Sequence, residues 1–301
     1  MNFYKKIFRS RKLRLKILSA FNFIPDKTML KIQYRIKCGH KLDLKDPKRY
    51  TEKLQWYKLY YRDPQMTQCS DKYGVREYVK SRGLEHILNE LYVAYDRPEE
   101  IEWEKLPESF AMKANNGSGT NYFVTDKSSE TLEGLIEKAK PWFEHTGFSF
   151  GREWGYTNIK PKLVFEKLLP RDSRNDLPDY KFFCFNGKVF CLYTMIDYTD
   201  NHKNGKLGFF DRDFNQMPCR RLDYNPITEK LEKPKNFDLM VEYAEKLAAG
   251  FPHVRVDFYN IDGQIVFGEM TFYNASGYTK FEPDSFDFEM GEKFVLPEKK
   301  I

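Results

Sequence analysis

The chain has 301 residues, 41 % of them hydrophobic and 31 % charged, which supplies a sizeable core for one large domain or two modest lobes and excludes long disorder. Its five cysteines are widely spaced and form no CxxC pair, and no apolar run approaches the roughly 20 residues of a membrane span or forms the core of a signal peptide, so a reducing, cytoplasmic setting is expected. The net charge of +6 is uneven: residues 1–60 hold 17 Lys and Arg against 4 Asp and Glu, a net +13 that leaves −7 on the rest.

Residues 1–23 alternate apolar side chains (Phe3, Ile7, Phe8, Leu15, Ile17, Leu18, Phe21) with seven Lys and Arg and no acid. The pattern fits a basic amphipathic helix, which residues 1–20 would lay on an anionic membrane or pack on the protein with a solvated basic face. No nucleic-acid module accompanies it, so nucleic acid is not expected as a partner. A second helix is expected from Thr51, as N-cap, to Pro64, and a third over DKYGVREYVKSRG, ending at Gly83.

From Pro107 onward strands and helices alternate. ESFAMKANNGSGTNYFVTD reads as strand, glycine loop, strand, with an amphipathic helix after it; KPKLVFEKLLP reads as a strand; DYKFFCFNGKVFCLYTMID reads as a hairpin around Asn186-Gly187. A further helix, FDLMVEYAEKLAAGF, precedes a second hairpin, HVRVDFYNIDGQIVFGEMTF.

That last hairpin carries the sharpest chemical signal. Asp257 and Glu269 interrupt apolar strands, and a buried carboxylate needs a cation or hydrogen-bonded partner. A two-residue turn at Asp262-Gly263 pairs Asp257 with Gly268 and sends Glu269 to the opposite face. A three-residue loop, Ile261 to Gly263, with a bulge at Gly263 pairs Glu269 with Arg255 and puts both acids on one face, and it is the arrangement expected here. Two carboxylates on one face repel by about 4 kcal/mol at an effective dielectric of about 20, unless a divalent ion or neighbouring cations such as Arg255 answer them.

Three further segments are each ambiguous alone. Lys113 ends a strand before Gly117-Ser118-Gly119, which suits phosphate contact or a plain polar loop. Glu166 and Lys167 sit in an apolar run, as in a strand that hydrogen-bonds an adenine or in an ordinary edge strand. Lys181 stands among aromatic strand residues, to meet a phosphate or to pair with an acid such as Asp179.

In order, Asp71-Lys72, Lys113 before the glycine loop, Glu166-Lys167-x-Leu169, Lys181, Arg255-x-Asp257 and Glu269 resemble the ATP-grasp superfamily. DPKRYTEKLQWYKLYYRDP, MKANNGSGTN, GREWGYTNIKPKLVFEKLL and VRVDFYNIDGQIVFGEMTFYNASG, among others, are similar to the TupA-like ATP-grasp family of bacterial surface-polysaccharide synthesis, from about residue 20 to 290. The resemblance implies an α/β fold of two lobes clasping ATP: a basic helical region over 1–64, a helical segment over 65–106, a small lobe over 107–170, and a large lobe over 171–301 that carries the metal-binding hairpin. It implies that Lys72, Lys113, Lys181 and the Gly117-Ser118-Gly119 lid contact phosphates, and that Glu166 with the Lys167 to Leu169 backbone holds adenine. It also implies that Asp257 and Glu269 bind Mg2+, and that Arg255 and Lys181 serve the chemistry. Thr271 stands where the superfamily pattern has Asn, so Thr271 or Asn274 completes the second metal site.

The implied reaction joins the carboxylate of a hexuronic acid, on a surface glycan or its precursor, to an amine or amino acid through an acyl phosphate. Arg152, Trp154, Tyr156, Arg220, Arg221 and Tyr278 are candidates for the acceptor pocket. A sugar-nucleotide transferase would need a DxD motif in a strand-end context, which is not seen, and a non-catalytic assembly protein would have little use for Lys113, Lys181, Asp257 and Glu269.

Overall fold

A computed structural model describes residues 23–143, 151–199 and 205–300. The basic amphipathic segment expected over residues 1–20 lies outside them. Among the described residues, no helix is long and apolar enough to cross a membrane.

Among the described residues seven α-helices and twelve strands follow in chain order: α1 Asp26–Cys38, α2 Tyr50–Tyr60, α3 Pro64–Ser70, α4 Val75–Ser81, β1 Leu91–Tyr95, β2 Phe110–Ala114, β3 Asn121–Val124, α5 Leu132–Phe143, β4 Leu163–Glu166, β5 Asp179–Phe185, β6 Lys188–Ile196, β7 Lys206–Asp211, β8 Arg220–Arg221, β9 Asn225–Pro226, α6 Phe237–Ala248, β10 His253–Ile261, β11 Gln264–Thr271, β12 Phe281–Glu282 and α7 Ser285–Lys293. They form a four-stranded sheet, order β1-β4-β2-β3, a six-stranded sheet, order β11-β10-β5-β6-β7-β9, and the small pair β12-β8.

The four-stranded sheet holds a small core of Phe110, Met112, Leu163 and Phe165 under Leu135 and Ala139 of α5. The larger core covers the six-stranded sheet. One face of that sheet buries Phe182, Val254, Val256 and Phe258 toward α6, whose Phe237, Met240, Val241, Ala244, Leu247 and Ala248 recur at helical spacing. Both long hairpins of this sheet turn on two residues with positive φ, Asn186-Gly187 (49° and 75°) and Asp262-Gly263 (51° and 107°), the geometry that matches strand twist.

The other face of the sheet is divided. At one end α2 and α7 cover it through Tyr50 and Phe294, whose rings lie 5.2 Å and 5.1 Å from His253. The two helices cross closely at Gly291, where a Cβ would stand 2.0 Å from the Lys48 carbonyl. The other end of the same face carries Lys181, Asp257 and Glu269 into a cleft.

The N-terminal helices differ from expectation in detail. Thr51 is not the N-cap of α2: its hydroxyl donates to Asp287 at 2.7 Å, and Glu52 instead accepts the Lys48 and Arg49 amides at 3.1 and 3.2 Å. The third helix begins at Val75, because Asp71 accepts the Tyr73 amide at 2.8 Å and holds residues 71–74 in turns. Gly83, φ +68°, follows its end as expected.

Candidate active site

Strand alternation places the chemistry. On β10, Arg255, Asp257 and Tyr259 share one face, with the core residues Val254, Val256 and Phe258 on the other. On β5, Asp179 and Lys181 share the corresponding face, and cross-strand pairing sets Lys181 opposite Asp257 and Asp179 opposite Tyr259.

Neither register expected for the β10–β11 hairpin is the observed one. The turn has two residues, with Ile261 opposite Gln264, yet Asp257 stands opposite Glu269 because a bulge between Glu269 and Phe267 sets Gly268 out of the ladder. The two acids therefore share a face, and the extra residue is Gly268 in mid-strand, not Gly263 at the turn. A Cβ at Gly268 would lie 3.0 Å from the Asp257 carbonyl oxygen.

Arg255, 6 % exposed, is the hub of this face. Its Nε and one terminal nitrogen grip Asp257 at 2.7 and 2.6 Å, and the same nitrogen reaches Glu269 at 2.8 Å and Thr271 at 3.1 Å. Its other nitrogen donates to Asn274 at 2.6 Å. Lys181 donates to Asp257 at 2.6 Å and also pairs with Asp179. Burial opposes charge on Lys181, but Asp179 and Asp257 outweigh it and raise its pKa well above the ordinary lysine value. For Glu269, burial acts upward, while Arg255, then Lys181 and Lys72, hold the carboxyl down to about 2. The Glu269 side chain remains 42 % exposed, open to the cleft.

The opposite wall comes from the four-stranded sheet. Lys113 on β2 donates to Glu166 on β4 at 2.8 Å, and Arg76 of α4 takes the other Glu166 oxygen at 3.2 Å. Asn115, fully buried, fixes the start of the glycine loop: it donates to Asp71 at 2.8 Å and to the Lys160 carbonyl at 3.0 Å, and its own carbonyl accepts the Lys72 amide at 3.1 Å. Lys72 thereby reaches over the loop to the Gly117 carbonyl. Burial lowers the Lys72 pKa, with Glu269 opposing and Lys113 adding to the effect.

Between these walls lies a cavity of about 320 Å³ in which Lys72, Arg76, Lys113 and Lys181 face Glu166, Asp179, Asp257 and Glu269, with Gly117, Ser118, Gly119 and Leu169 also lining it. Lys167 points elsewhere: its ammonium lies 3.9 Å from Glu90, and its backbone bonds Glu90 and Asn89. A second cavity of about 220 Å³ shares Lys72, Gly117, Ser118, Gly268 and Glu269 with the first and continues to Ser70, Glu153, Tyr156, Arg255, Thr271 and Ser276.

Of the residues expected around an acceptor, only Tyr156 lines either cavity. Arg152 pairs with Asp26 at 2.7 Å, Arg220 with Glu282, and Arg221 with Asp223 at 2.8 Å. The Trp154 indole donates to the Tyr61 carbonyl at 3.1 Å and the Tyr278 hydroxyl to Gln33 at 2.6 Å. Asn274, 1 % exposed, is bound to Arg255 and lines neither cavity, whereas Thr271 lines the second. Arg76, Asp179 and Glu153 were not foreseen as site residues. Asp179 was detectable as the residue two before Lys181 on one strand face, whereas nothing local marks Arg76 or Glu153.

A family model described as TupA-like ATPgrasp matches residues 52–295. Among solved structures, the chain is similar to D-alanine–D-alanine ligase from Helicobacter pylori, at 18 % identity and a TM-score of 0.47, covering 76 % of this chain and 61 % of that one. The D-alanine–D-alanine ligase from Bacillus anthracis matches at 16 % identity and a TM-score of 0.43, covering 75 % and 67 %. VanG D-Ala:D-Ser ligase from Enterococcus faecalis matches at 18 % and 0.43, covering 75 % and 61 %, so the chain spans less than two thirds of two of these three. No curated protein matches the sequence.

Proposed function

The chain belongs to the TupA-like ATP-grasp family, and from that premise we propose that it is a ligase that activates a carboxylate with ATP and couples it to an amine. The observation that carries this reading is the convergence of Lys72, Lys113 and Lys181 with Asp257 and Glu269 on a single cavity under the glycine loop.

The donor set suits magnesium: hard carboxylate oxygens of Asp257 and Glu269 opposite each other, the Thr271 hydroxyl 3.1 Å from Glu269, and an open side of Glu269 toward the cleft. Magnesium bound there would neutralise charge on the phosphates and favour transfer of the terminal phosphoryl group. The remaining work falls to the chain. Lys72 and Lys113 would bind phosphate oxygens, Lys181 would turn from Asp257 to the terminal phosphate, and the Gly117 to Gly119 loop would exclude water. Glu166, with the Lys167 to Leu169 backbone beside it, would hold the adenine end.

A substrate carboxylate oxygen attacks the terminal phosphorus and ADP leaves; the amine then attacks the acyl carbon and inorganic phosphate leaves. Arg255, buried and fixed by Asp257, would stabilise the anionic oxygen that forms on that carbon. The substrate we propose is a hexuronic acid of a bacterial surface polysaccharide or its precursor, with an amino acid or simple amine as nucleophile. A cytoplasmic enzyme lying peripherally at the inner membrane face suits such a substrate. The exposed Lys27, Lys31 and Arg35 on α1 support that placement, with the exposed Ile32 and Ile36 beside them.

The test is release of ADP and phosphate from Mg·ATP with glucuronate or galacturonate and a panel of amines. The ligase releases both only when acid and amine are present together. Release that needs neither, or a sugar nucleotide in place of ATP, overturns the reading.

A further inference from the structure

The second cavity, beyond Lys72 and Gly117, is not explained by a bound nucleotide. Its far wall is built at a cost. Ala275, Ser276 and Gly277 are three consecutive residues in the left-handed region, with φ of 45°, 57° and 68°, and each of the two non-glycine residues gives up about 1–2 kcal/mol there.

Two buried side chains of α2 hold this turn. Gln55 donates to the Ser276 and Gly277 carbonyls at 3.1 and 2.8 Å. Lys58, only 2 % exposed, donates to the Ser276 carbonyl at 2.8 Å, to the Gly151 carbonyl at 2.7 Å and to Gln55 at 3.1 Å. Lys58 has no salt bridge among the described residues; its role is to clamp residues 151 and 276 together. Gly277 has a positive φ of 68°, and a Cβ there would meet the Gln55 amide nitrogen at 2.3 Å; at Gly151 a Cβ would meet the Ser276 hydroxyl and a Glu153 oxygen at 2.0 and 2.5 Å, so a side chain there would displace the groups that line the cavity.

What the clamp presents to the cavity is Glu153. One of its oxygens accepts the Ser276 hydroxyl, and among the described residues its other oxygen has no hydrogen bond and its carboxylate no salt bridge. Nearby, the Ser70 hydroxyl is buried with no partner and lines the same space. The cations of the cavity already have partners, Arg255 in Asp257, Glu269, Thr271 and Asn274, and Lys72 in the Gly117 carbonyl. What remains on offer is a set of acceptors around a carboxylate whose one neighbouring cation, the buried Lys58, reaches it only through the shared Ser276 hydroxyl, 3.3 Å from the ammonium, and a half-buried carboxylate with no direct ion pair is a site for a cation.

Resting on the ligase reading, we propose that this cavity receives the nucleophile, a small primary amine, and that Glu153 is the residue that selects it by binding its ammonium. Size agrees: about 220 Å³ is roughly seven water volumes, room for an amino acid or amino alcohol.

The experiment uses the full chain with magnesium and a non-hydrolysable ATP analogue, and follows glycine, L-lysine, L-glutamate and ethanolamine, each beside its N-acetyl form, by ligand-observed saturation-transfer NMR. At least one free amine binds and its N-acetyl form does not. Glu153→Gln weakens that amine about tenfold or more, Glu153→Asp recovers part of the loss, and nucleotide affinity stays within about twofold in both variants, which shows that they are folded. Amine binding unchanged in Glu153→Gln, or no amine bound while nucleotide binds, overturns the proposal. Failure of the wild-type chain to bind the nucleotide overturns the ligase reading and this proposal with it.

Discussion

Asp257 and Glu269 face one another across β10 and β11 only because Gly268 is displaced from the ladder between them. Without that bulge the two-residue turn sets Asp257 against Gly268, and strand alternation sends Glu269 to the buried face. A single residue without a side chain thus decides whether two carboxylates can act on one ligand.

Gly268→Ala tests this directly. The new methyl would press on the Asp257 carbonyl at 3.0 Å, where backbone lies on the far side and gives little. The chain is expected to fold, with a loss of about 1–3 kcal/mol, and to lose Mg·ATP affinity about tenfold or more. Calorimetric titration of the nucleotide with and without magnesium reads the effect; unchanged affinity would show that the bulge does not set the site.

Asp257→Asn removes the partner that fixes Arg255. The guanidinium is 6 % exposed and keeps Glu269, Thr271 and Asn274, but breaking a buried ion pair from one side costs about 3–5 kcal/mol. We expect a lower melting temperature together with loss of the magnesium-dependent upshift that ATP gives the wild type. Should the variant keep a full magnesium-dependent upshift, Asp257 is a structural partner of Arg255 and nothing more.

Much of this site was legible in the sequence, in a definite sense. The glycine turn at Asn186-Gly187, and the interrupted apolar strands with Lys181, Asp257 and Glu269, are local signals, and the strands stand where those signals put them, although the three-residue loop expected at Ile261 to Gly263 is a two-residue turn. The bulge was not legible, because Gly268 looks like any strand glycine until its partner strand is known. The same holds for α2. Tyr50, Leu54 and Tyr57 are buried against residues some 200 positions away, and Lys58, Gln55 and Glu52 are polar yet buried, so no helical periodicity of polarity marks which face packs. Strands β1 and β7 escaped for a related reason: each is a short run whose identity comes from its neighbours β4 and β6.

Acid should loosen the join between α2 and the large sheet through His253. Its Nδ1 lies 2.9 Å from the Cys184 carbonyl, which can only accept, so Nδ1 carries the proton and Nε2 accepts the Tyr50 hydroxyl at 3.0 Å. Burial, with Arg255 adding and the Cys184 bond opposing, lowers its pKa to about 3. Between about 3 and 6.5 the unfolded chain therefore binds the extra proton, and stability rises with pH over that window and is lost as pH falls. At pH 5 the loss from this one residue is about 2 kcal/mol. Asp287, raised to about 6 by burial against the opposing bonds of Thr51 and Arg49, acts in the opposite sense between about 3.8 and 6. The comparison is thus between wild type and His253→Gln in urea at pH 7 and pH 5. The wild type should lose about 2 kcal/mol more than the variant, and equal losses would remove His253 as the acid-sensitive element.

Association with an anionic membrane is testable without knowing any substrate. Lys27, Lys31 and Arg35 recur every four residues on α1 and are exposed, and Ile32 and Ile36 beside them are 44 % and 62 % exposed. Buried Met29, Leu30, Gln33, Tyr34 and Cys38 take the opposite side, so the basic and apolar face looks outward with the fold intact. Each basic residue held near an anionic surface contributes about 1 kcal/mol, and replacing all three by Gln should cost about 3 kcal/mol, roughly a hundredfold in partitioning. Sedimentation with phosphatidylglycerol vesicles measures it. The wild type should bind these and release them at high salt, bind phosphatidylcholine vesicles poorly, and lose binding in the triple variant, while nucleotide binding, which involves none of the three, stays unchanged. Equal binding to both lipids, or a triple variant that binds as well as the wild type, would mean that this face does not meet a membrane.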